Sequence, residues 1–303
     1  TATPNSGSLF SGWSGGGCSG TGTCTVTLTS NTTITASFMQ NQSSSGSTTY
    51  YIDYVSGNDS NNGTSSATPW KHSPGDPNAT NNPMFVSLKP GDIIAFKGGV
   101  IYQFPPSGGY IAAKASGSAG SPITYISGNL LPTPWPNSTS QAGIDGTNST
   151  LNNTNNGIIS LGSYSWLIVD GLEIRNSRPL TTANQMAYTG GITLAGESAG
   201  SGNITIKNNY IHDLTMDGIY LLGKWTGAPA DQVPTTFNIA GNTIIRTNGH
   251  GLLQRWGFNN VVIENNTFDL NGTDFNRTGN SNIMANNIFL SAYNTTDGNI
   301  QYN

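Results

Sequence analysis

The second half of this chain repeats a short motif centred on asparagine. An apolar residue is followed by two spacers, Asn, one spacer and a second apolar residue. The copies span residues 206–211, 239–244, 263–268 and 284–289, and a related copy with Leu in place of Asn spans 169–174. A unit this short cannot bury its own apolar face, so successive copies must stack and share one core. The repeat therefore predicts a solenoid, and the copies close up along the chain to roughly the 20–25 residues of one β-helix coil.

Each motif follows a second landmark, a Gly that opens a short alternating strand. These strands are predicted at residues 157–160, 191–194, 218–221 and 251–254. Two strands per coil flank a turn, which predicts an all-β parallel β-helix solenoid. Stacked coils would place Asn209, Asn242, Asn266 and Asn287 above one another. We predict a structural role for these four side chains, because buried amides can pair in a ladder along the axis.

Composition excludes several classes of function. Charged residues make up 9% of the chain, its net charge is −4, and its eleven Lys and Arg form no run or stripe. This pattern argues against a nucleic-acid partner. The longest apolar runs are shorter than the 18 residues that a membrane span needs, so no span is predicted.

Residues 1–39 predict a small all-β module with strands at 25–28 and 33–38. Cys18 and Cys24 favour a short-range disulfide over free thiols or a zinc site, which indicates an oxidising compartment. The stretch FSGWSGGGCSGTGTCTVTLTSNTTITASF resembles the repeat module found in tandem on large secreted and surface proteins of bacteria. The resemblance implies an extracellular location and a sequence that begins within such a module. The polar residues 40–49 are predicted to be a linker.

Residues 50–303 form the predicted β-helix domain. Its opening, YYIDYVSGNDSNNGTSSATPWKHSPGDPN followed by LKPGDIIAFKGGVIY, resembles the first coil of secreted right-handed parallel β-helix proteins of the pectate-lyase-like group. Pro74, Pro77 and Pro83 make a long helix between these strands unfavourable, although one short helical turn is compatible with them. The resemblance implies the right-handed fold and says nothing about chemistry.

Two adjacent coils loosely resemble the chondroitinase-B-like and alginate lyase family. The stretches are DGIYLLGK, ending at Lys224, and GLLQRWG, which contains Arg255. In a lyase a base removes the proton beside a uronate carboxylate while a cation neutralises the developing charge. The resemblance implies Lys224 as the base, Arg255 as the charge stabiliser and Asp217 as a Ca²⁺ ligand. The match is incomplete, since Ile219 stands where a second Glu belongs and Trp256 replaces a His.

Asp217 also has a structural interpretation, because it precedes the Gly that opens a strand, as His250 does in the next coil. A glycosidase would need two carboxylates facing each other, and the nearby acids Asp213, Asp217 and Glu197 show no paired pattern. We expect Asp213 and its neighbour His212 to be solvated loop residues.

A binding function is the remaining alternative for these two coils. If Ile219 and Leu252 point inward, strand alternation points Tyr220 outward together with Arg255. Trp225 and Trp256 would stand at the strand ends, so that aromatic rings lie beside a cation as in many sugar sites. The pattern is explained equally well if the two Trp side chains pack under a long loop.

The sequence supports two functional hypotheses. The first is a secreted structural or adhesive protein in which the β-helix is a rigid rod that assembles with itself, end to end or through the N-terminal module. It rests on the scarcity of acids and on a repeat that runs to Asn303, which leaves an end for further sequence or another molecule to cover. The second is a polysaccharide partner, either cleaved by a lyase that uses Ca²⁺ or bound without a cofactor.

Overall fold

The structure is a computed structural model that describes residues 2, 8–20, 22–27, 31–40, 46–149, 157–177, 190–195, 201–223, 235–255, 259–269, 271, 288–290 and 300–302. The first sheet is antiparallel and consists of β1 (Ser8–Gly15), β2 (Cys18–Gly20) and β3 (Thr35–Gln40), in the order β2-β1-β3. Cys18 and Cys24 form a disulfide. The strand predicted at 25–28 is wrong for residues 25–27, which have no regular structure. Trp13 instead donates a hydrogen bond to the carbonyl of Gly22 and holds this loop in place.

All later strands are parallel. They are β4 (Thr49–Ile52), β5 (Ile93–Phe96), β6 (Ile101–Gln103), β7 (Ile111–Ala112), β8 (Ile123–Ser127), β9 (Gly143–Gly146), β10 (Ile159–Gly162), β11 (Leu167–Asp170), β12 (Glu173–Ser177), β13 (Gly190–Ala195), β14 (Gly202–Lys207), β15 (Tyr210–Leu214), β16 (Asp217–Leu222), β17 (Thr235–Ala240), β18 (Thr243–Thr247), β19 (Leu252–Arg255), β20 (Asn259–Glu264), β21 (Thr267–Asp269), β22 (Ile288–Leu290) and β23 (Ile300–Tyr302). One short helix, α1 (Asn81–Phe85), and one 3₁₀ turn (Gly128–Leu130) interrupt them.

The parallel strands form three sheets that the chain visits in turn. Sheet I has the order β23-β20-β17-β14-β11-β8-β5-β4, sheet II the order β21-β18-β15-β12-β9-β6, and sheet III the order β22-β19-β16-β13-β10-β7. From β5 onward, every third strand in sequence is thus a neighbour in space, which is the connectivity of a right-handed parallel β-helix. The predicted fold class is confirmed. Inward-facing aliphatic side chains, such as Ile174, Ile211 and Ile244 of sheet II, form one continuous core along the coils.

The repeated asparagines occupy the turn between sheets I and II. The Asn209 amide group donates to the Asn242 side-chain oxygen at 2.9 Å, and the Asn242 amide group donates to that of Asn266 at 2.9 Å. Each also donates to a main-chain carbonyl of the preceding coil, that of Val169 for Asn209 and that of Ile206 for Asn242. The amides therefore satisfy main-chain groups that the turn leaves without strand partners. Asn287 lies outside the described residues, and the strand that follows it, β22, pairs with β19 in sheet III. The expectation that the 284–289 copy continues the series of the other three is therefore wrong, because those three lead into strands of sheet II.

The residue before each ladder position is left-handed. Gly171, Asn208, Gly241 and Asn265 have φ values of 67°, 56°, 64° and 55°. Gly and Asn adopt this conformation at lower cost than other residues. The motif therefore constrains two successive positions. The first must adopt the left-handed backbone conformation, and the second must supply the side-chain amide of the ladder.

The first coils enclose a group of buried polar side chains next to Trp70. Trp70 stacks on Tyr50 with ring centroids 4.7 Å apart, and its indole N–H donates to the carbonyl of Asn61. Asp59 accepts hydrogen bonds from the main chain and ring of His72 and from Thr80. Asp76 accepts from the Tyr102 hydroxyl and from Asn78. These bonds tie the long loop after β4 to sheet II.

Asp76 and Asp59 should respond to pH with opposite signs. Burial raises the pKa of Asp76 above 3.8, whereas burial of Asp59 is outweighed by hydrogen bonds from Thr80 and His72 that lower its pKa. The Asp76 contribution to stability is therefore present below the unfolded pKa and lost as pH rises through the folded value; the Asp59 contribution is present above the unfolded pKa and lost as pH falls.

Asp76→Asn should lower the free energy of unfolding by at most about 1 kcal/mol at pH ~3, and this loss should shrink by pH ~5. The loss caused by Asp59→Asn should instead grow over the same pH interval. Urea unfolding at several pH values measures both slopes. Slopes of the same sign for the two variants would contradict this assignment.

Candidate functional site

Two of the three residues that the lyase resemblance singles out, Asp217 and Arg255, belong to strands of sheet III. Asp217 begins β16, and Arg255 ends β19, where its backbone pairs with Leu222. The register thus brings Arg255 beside the strand end that leads to Lys224. Lys224, Trp225 and Trp256 lie outside the described residues, as does Glu197.

Asp217 is engaged in protein contacts. Its side chain is buried, and its Oδ1 accepts the main-chain N–H of His250 at 2.7 Å and lies 3.0 Å from the His250 Nδ1. Among the residues that the structure describes, no group of three or more His, Cys, Asp or Glu side chains could hold a metal ion. These contacts fit the structural interpretation of Asp217, which fastens the turn before β19 to the turn before β16.

Tyr220 is not the exposed aromatic residue that the alternation predicted. Its side chain does leave the inward row of Ile219 and Leu221, but it is 0% exposed and packs in a separate cluster with Leu222 and Leu253. The expectation of an open binding surface at Tyr220 is therefore wrong. Alternation defines the face of a strand, whereas exposure depends on what covers that face.

Sheet II carries polar side chains on its outer face across four successive coils, those of β9, β12, β15 and β18. Their order follows the register, with Asp145 of β9 beside Arg175 of β12 and Arg175 beside His212 of β15. In the parallel outer row, Glu173 lies beside Tyr210. We define the charged face as Asp145, Glu173, Arg175, Tyr210, His212, Asp213 and Arg246. The expectation that His212 and Asp213 are loop residues is wrong, because both belong to β15 and the His212 side chain is 10% exposed.

His212 is the centre of the charged face. Its Nε2 lies 3.1 Å from the Glu173 carboxylate and its Nδ1 lies 2.6 Å from the Asp213 carboxylate. Tyr210 stacks on the imidazole with ring centroids 4.1 Å apart. Carboxylates only accept hydrogen bonds, so both contacts are hydrogen bonds when both ring nitrogens carry protons. Glu173 also accepts from the Arg175 guanidinium at 3.1 Å.

Arg246 holds Asp213 through two hydrogen bonds. Its Nε and Nη2 donate to the two carboxylate oxygens at 2.6 and 2.7 Å, which is the strong bidentate geometry. This pair, aided by His212, lowers the pKa of Asp213 to about 2. Hydrogen bonding to Asp213 and then to Tyr210 raises the pKa of Arg246. Asp213 therefore stays ionised down to a lower pH than an ordinary aspartate does.

A row of left-handed residues runs through the same face. Asn176, Asp213 and Arg246 have φ values of 51°, 55° and 54°. They occupy equivalent positions in β12, β15 and β18, where the register of β12 against β9 skips a residue. A bulge of this kind redirects side chains and is common beside functional sites. The left-handed backbone conformation costs an arginine roughly 1–2 kcal/mol. Such strain is often found at functional sites, so we infer that the conformation of Arg246 serves a function.

The charged face suits the binding of a hydroxyl-rich ligand. Carboxylates accept from hydroxyl groups, guanidinium groups donate to them, and the Tyr210 ring adds an apolar surface. The Glu173 and Asp213 carboxylates are separated by the His212 imidazole ring and by one hydrogen bond on each side of it. Each of these two carboxylates already accepts hydrogen bonds from a guanidinium group, which favours a binding role over a catalytic one.

Comparison with known proteins agrees with the two parts of the architecture. Residues 1–42 match the family described as the divergent InlB B-repeat domain. Among curated proteins, none is significantly similar to the chain. In the described part of the chain, no helix is both long and apolar enough to cross a membrane.

Solved structures of β-helix proteins are similar to the chain at low identity. The GH136 lacto-N-biosidase from Eubacterium ramulus is 19% identical with a TM-score of 0.52, and the match covers 72% of this chain and 41% of the enzyme. A rhamnogalacturonan lyase is 16% identical with a TM-score of 0.47 over 84% of this chain and 62% of the lyase. The pectate lyase Pel9A is 19% identical with a TM-score of 0.43 over 85% and 63%.

The chain thus spans less than half the length of the lacto-N-biosidase, and identity at this level shows the fold alone. That fold is the one that the strand connectivity displays directly. The chain is therefore a right-handed parallel β-helix protein whose N-terminal segment matches the divergent InlB B-repeat domain.

Proposed function

We propose that this protein acts outside the cell or at its surface on a polysaccharide, which it binds along the charged face. The observation that carries the proposal is the row of guanidinium–carboxylate pairs that crosses four coils beside Tyr210. The match of residues 1–42 to a surface-protein repeat supports the location. The fold is shared with a solved glycan-cleaving enzyme, which supports the class of ligand.

The spacing of the coils supports a linear ligand. Parallel strands lie about 4.8 Å apart, which is close to the length of one pyranose unit in an extended glycan. A glycan that runs along the solenoid axis would meet Asp145 with Arg175, then His212, and then Asp213 with Arg246. Each sugar would thus meet a donor and an acceptor held by the sheet.

Tyr210→Ala tests whether the charged face is the binding site. The variant removes a ring that stacks on His212, while the neighbouring Ile211 stays in the core. We expect about a tenfold loss of affinity for the bound polysaccharide, or about 1.4 kcal/mol, in affinity electrophoresis against a glycan panel. Asp170→Asn is the matched control, since Asp170 pairs with Lys207 on sheet I. Equal affinities for the two variants would refute the placement of the site.

A polysaccharide lyase on sheet III is a second candidate. The pairing of Arg255 with Leu222 favours it, because Lys224 follows two residues later. In this candidate Lys224 is the base and Arg255 the charge stabiliser; Ca²⁺ would need ligands other than Asp217 alone. Incubation with alginate, chondroitin and pectate plus Ca²⁺ should yield unsaturated product that absorbs near ~235 nm and is lost in Lys224→Ala. Absence of product from all three polymers would remove this candidate.

The structural-rod hypothesis receives less support than the polysaccharide partner. The shared fold and the charged face both favour a glycan, and no observation on the described residues favours a fibre. Self-assembly, end to end or through the module, stays a prediction. So do the domain boundaries at 1–39, 40–49 and 50–303.

A further inference from the structure

Each guanidinium group of the charged face is already paired with a protein carboxylate. Arg175 lies 3.1 Å from Glu173 and 3.4 Å from Asp145, and Arg246 makes its bidentate pair with Asp213. A ligand carboxylate would have to displace one of these protein carboxylates. Displacement breaks charge-assisted hydrogen bonds, which are the strongest that the face contains.

The balance of charge on the face also disfavours anions. Three carboxylates face two guanidinium groups, and His212 lies between Glu173 and Asp213. Further along the same outer row, Ile245 pairs with Asp269, an exposed fourth carboxylate. An approaching uronate therefore meets a face whose summed charge is zero or negative, whether or not His212 is protonated. Polyanion binding requires the opposite balance.

Neutral sugars avoid both costs. Two neighbouring hydroxyl groups can accept from a guanidinium and donate to its carboxylate partner, so they bind across an intact ion pair. A hydroxyl also costs less to desolvate than a carboxylate. The open edge of the Arg246–Asp213 pair, 42% and 41% exposed at the two side chains, is accessible for such a contact.

We infer that the charged face selects neutral sugars and rejects uronates, so that the natural ligand is an uncharged polysaccharide. This inference rests on the proposed function and narrows it to one ligand class. It also separates the charged face from the lyase candidate, whose chemistry needs a uronate. Asp213 is the specificity-determining residue, because it occupies the more exposed guanidinium group.

The test compares polymers that differ only in charge. Pectate, alginate and unsulfated chondroitin are each presented to the full chain in native form and after reduction of their carboxyl groups to alcohols. We expect at least one reduced polymer to bind about tenfold or more tightly than its native form at low salt, with little change in affinity on adding salt. Native polymers that bind as tightly or more tightly would overturn the inference and leave glycan binding intact. Binding to no polymer in either form would overturn the proposed function, and the inference with it.

Asp213→Asn provides an independent check. The variant frees Arg246 and removes one negative charge, so affinity for the native polymers should rise about fivefold or more while affinity for the reduced forms falls. Asp170→Asn, which removes the same charge from sheet I, should change the preference by less than about twofold. If Asp213→Asn does not fold, Glu173→Gln tests the same idea, since it removes the nearer of the two carboxylates that pair with Arg175. A variant that folds and keeps the wild-type preference would contradict the role of the paired guanidinium groups.

Discussion

Replacing Asn242 with alanine should lower the free energy of unfolding by about 4 kcal/mol, because several buried polar groups lose their partners together. The Asn242 side chain accepts from the main-chain N–H and the amide of Asn209, and it donates to Ile206 and to Asn266. Both Asn209 and Asn242 are 1% exposed, so water does not replace the lost bonds. Urea unfolding followed by far-ultraviolet circular dichroism measures the change.

Thr243→Ala is the control for this variant. Thr243 is the next residue, half-buried on the outer face of sheet II, and its removal leaves the amide ladder intact. We expect a cost below about 1 kcal/mol. If Asn242→Ala and Thr243→Ala lower the free energy of unfolding equally, the amide ladder does not stabilise the solenoid.

The ladder explains why the fold could be predicted from one short motif. Its Asn residues satisfy main-chain groups in the neighbouring coil, so the requirement recurs in successive coils and becomes visible as a repeat. The left-handed residue before each Asn narrows the choice there to Gly or Asn, which strengthens the pattern further. Leu172 departs from the pattern, and its main-chain N–H is bound by the Asn209 side chain.

The charged face was missed because a bulge breaks the alternation that reveals strands. In β15 the outward His212 is followed by a left-handed Asp213, so two polar residues stand together and look like a loop. A signal was nevertheless present. Counted from the ladder position, Arg175 and His212 are both three residues on, and Asp213 and Arg246 are both four residues on. Aligning the coils on the ladder thus predicts which charges become neighbours.

The burial of Tyr220 illustrates a different limit of prediction from sequence alternation. Alternation assigned its side chain to the outer face of sheet III, and that assignment agrees with its separation from Ile219 and Leu221. Whether that face is open depends on contacts that form only when the coils assemble. The sequence signal for this burial was the pair Leu222 and Leu253, since apolar side chains on the outer face of a sheet indicate that other residues pack over that face.

His212→Ala should reduce affinity for the bound polysaccharide by about 100-fold, equal to about 2.7 kcal/mol. The imidazole joins Glu173 to Asp213 and supports the ring of Tyr210, so its loss releases groups from adjacent coils at once. Non-additive losses are expected where contacting residues form one network. Affinity electrophoresis with the reduced polymers measures the effect, and urea unfolding shows whether the variant is folded.

Two further variants separate this effect from general destabilisation. His212→Gln keeps a hydrogen-bonding side chain and should recover about tenfold of the lost affinity, because it can still donate to one carboxylate. His250→Ala removes a different His–Asp pair, that of His250 with Asp217, which joins turns beside sheet III at 3.0 Å. We expect it to change glycan affinity by less than about twofold, since its pair lies away from the charged face. If His250→Ala weakens binding and His212→Ala does not, the glycan lies on sheet III, and the lyase candidate replaces the charged face as the site of function.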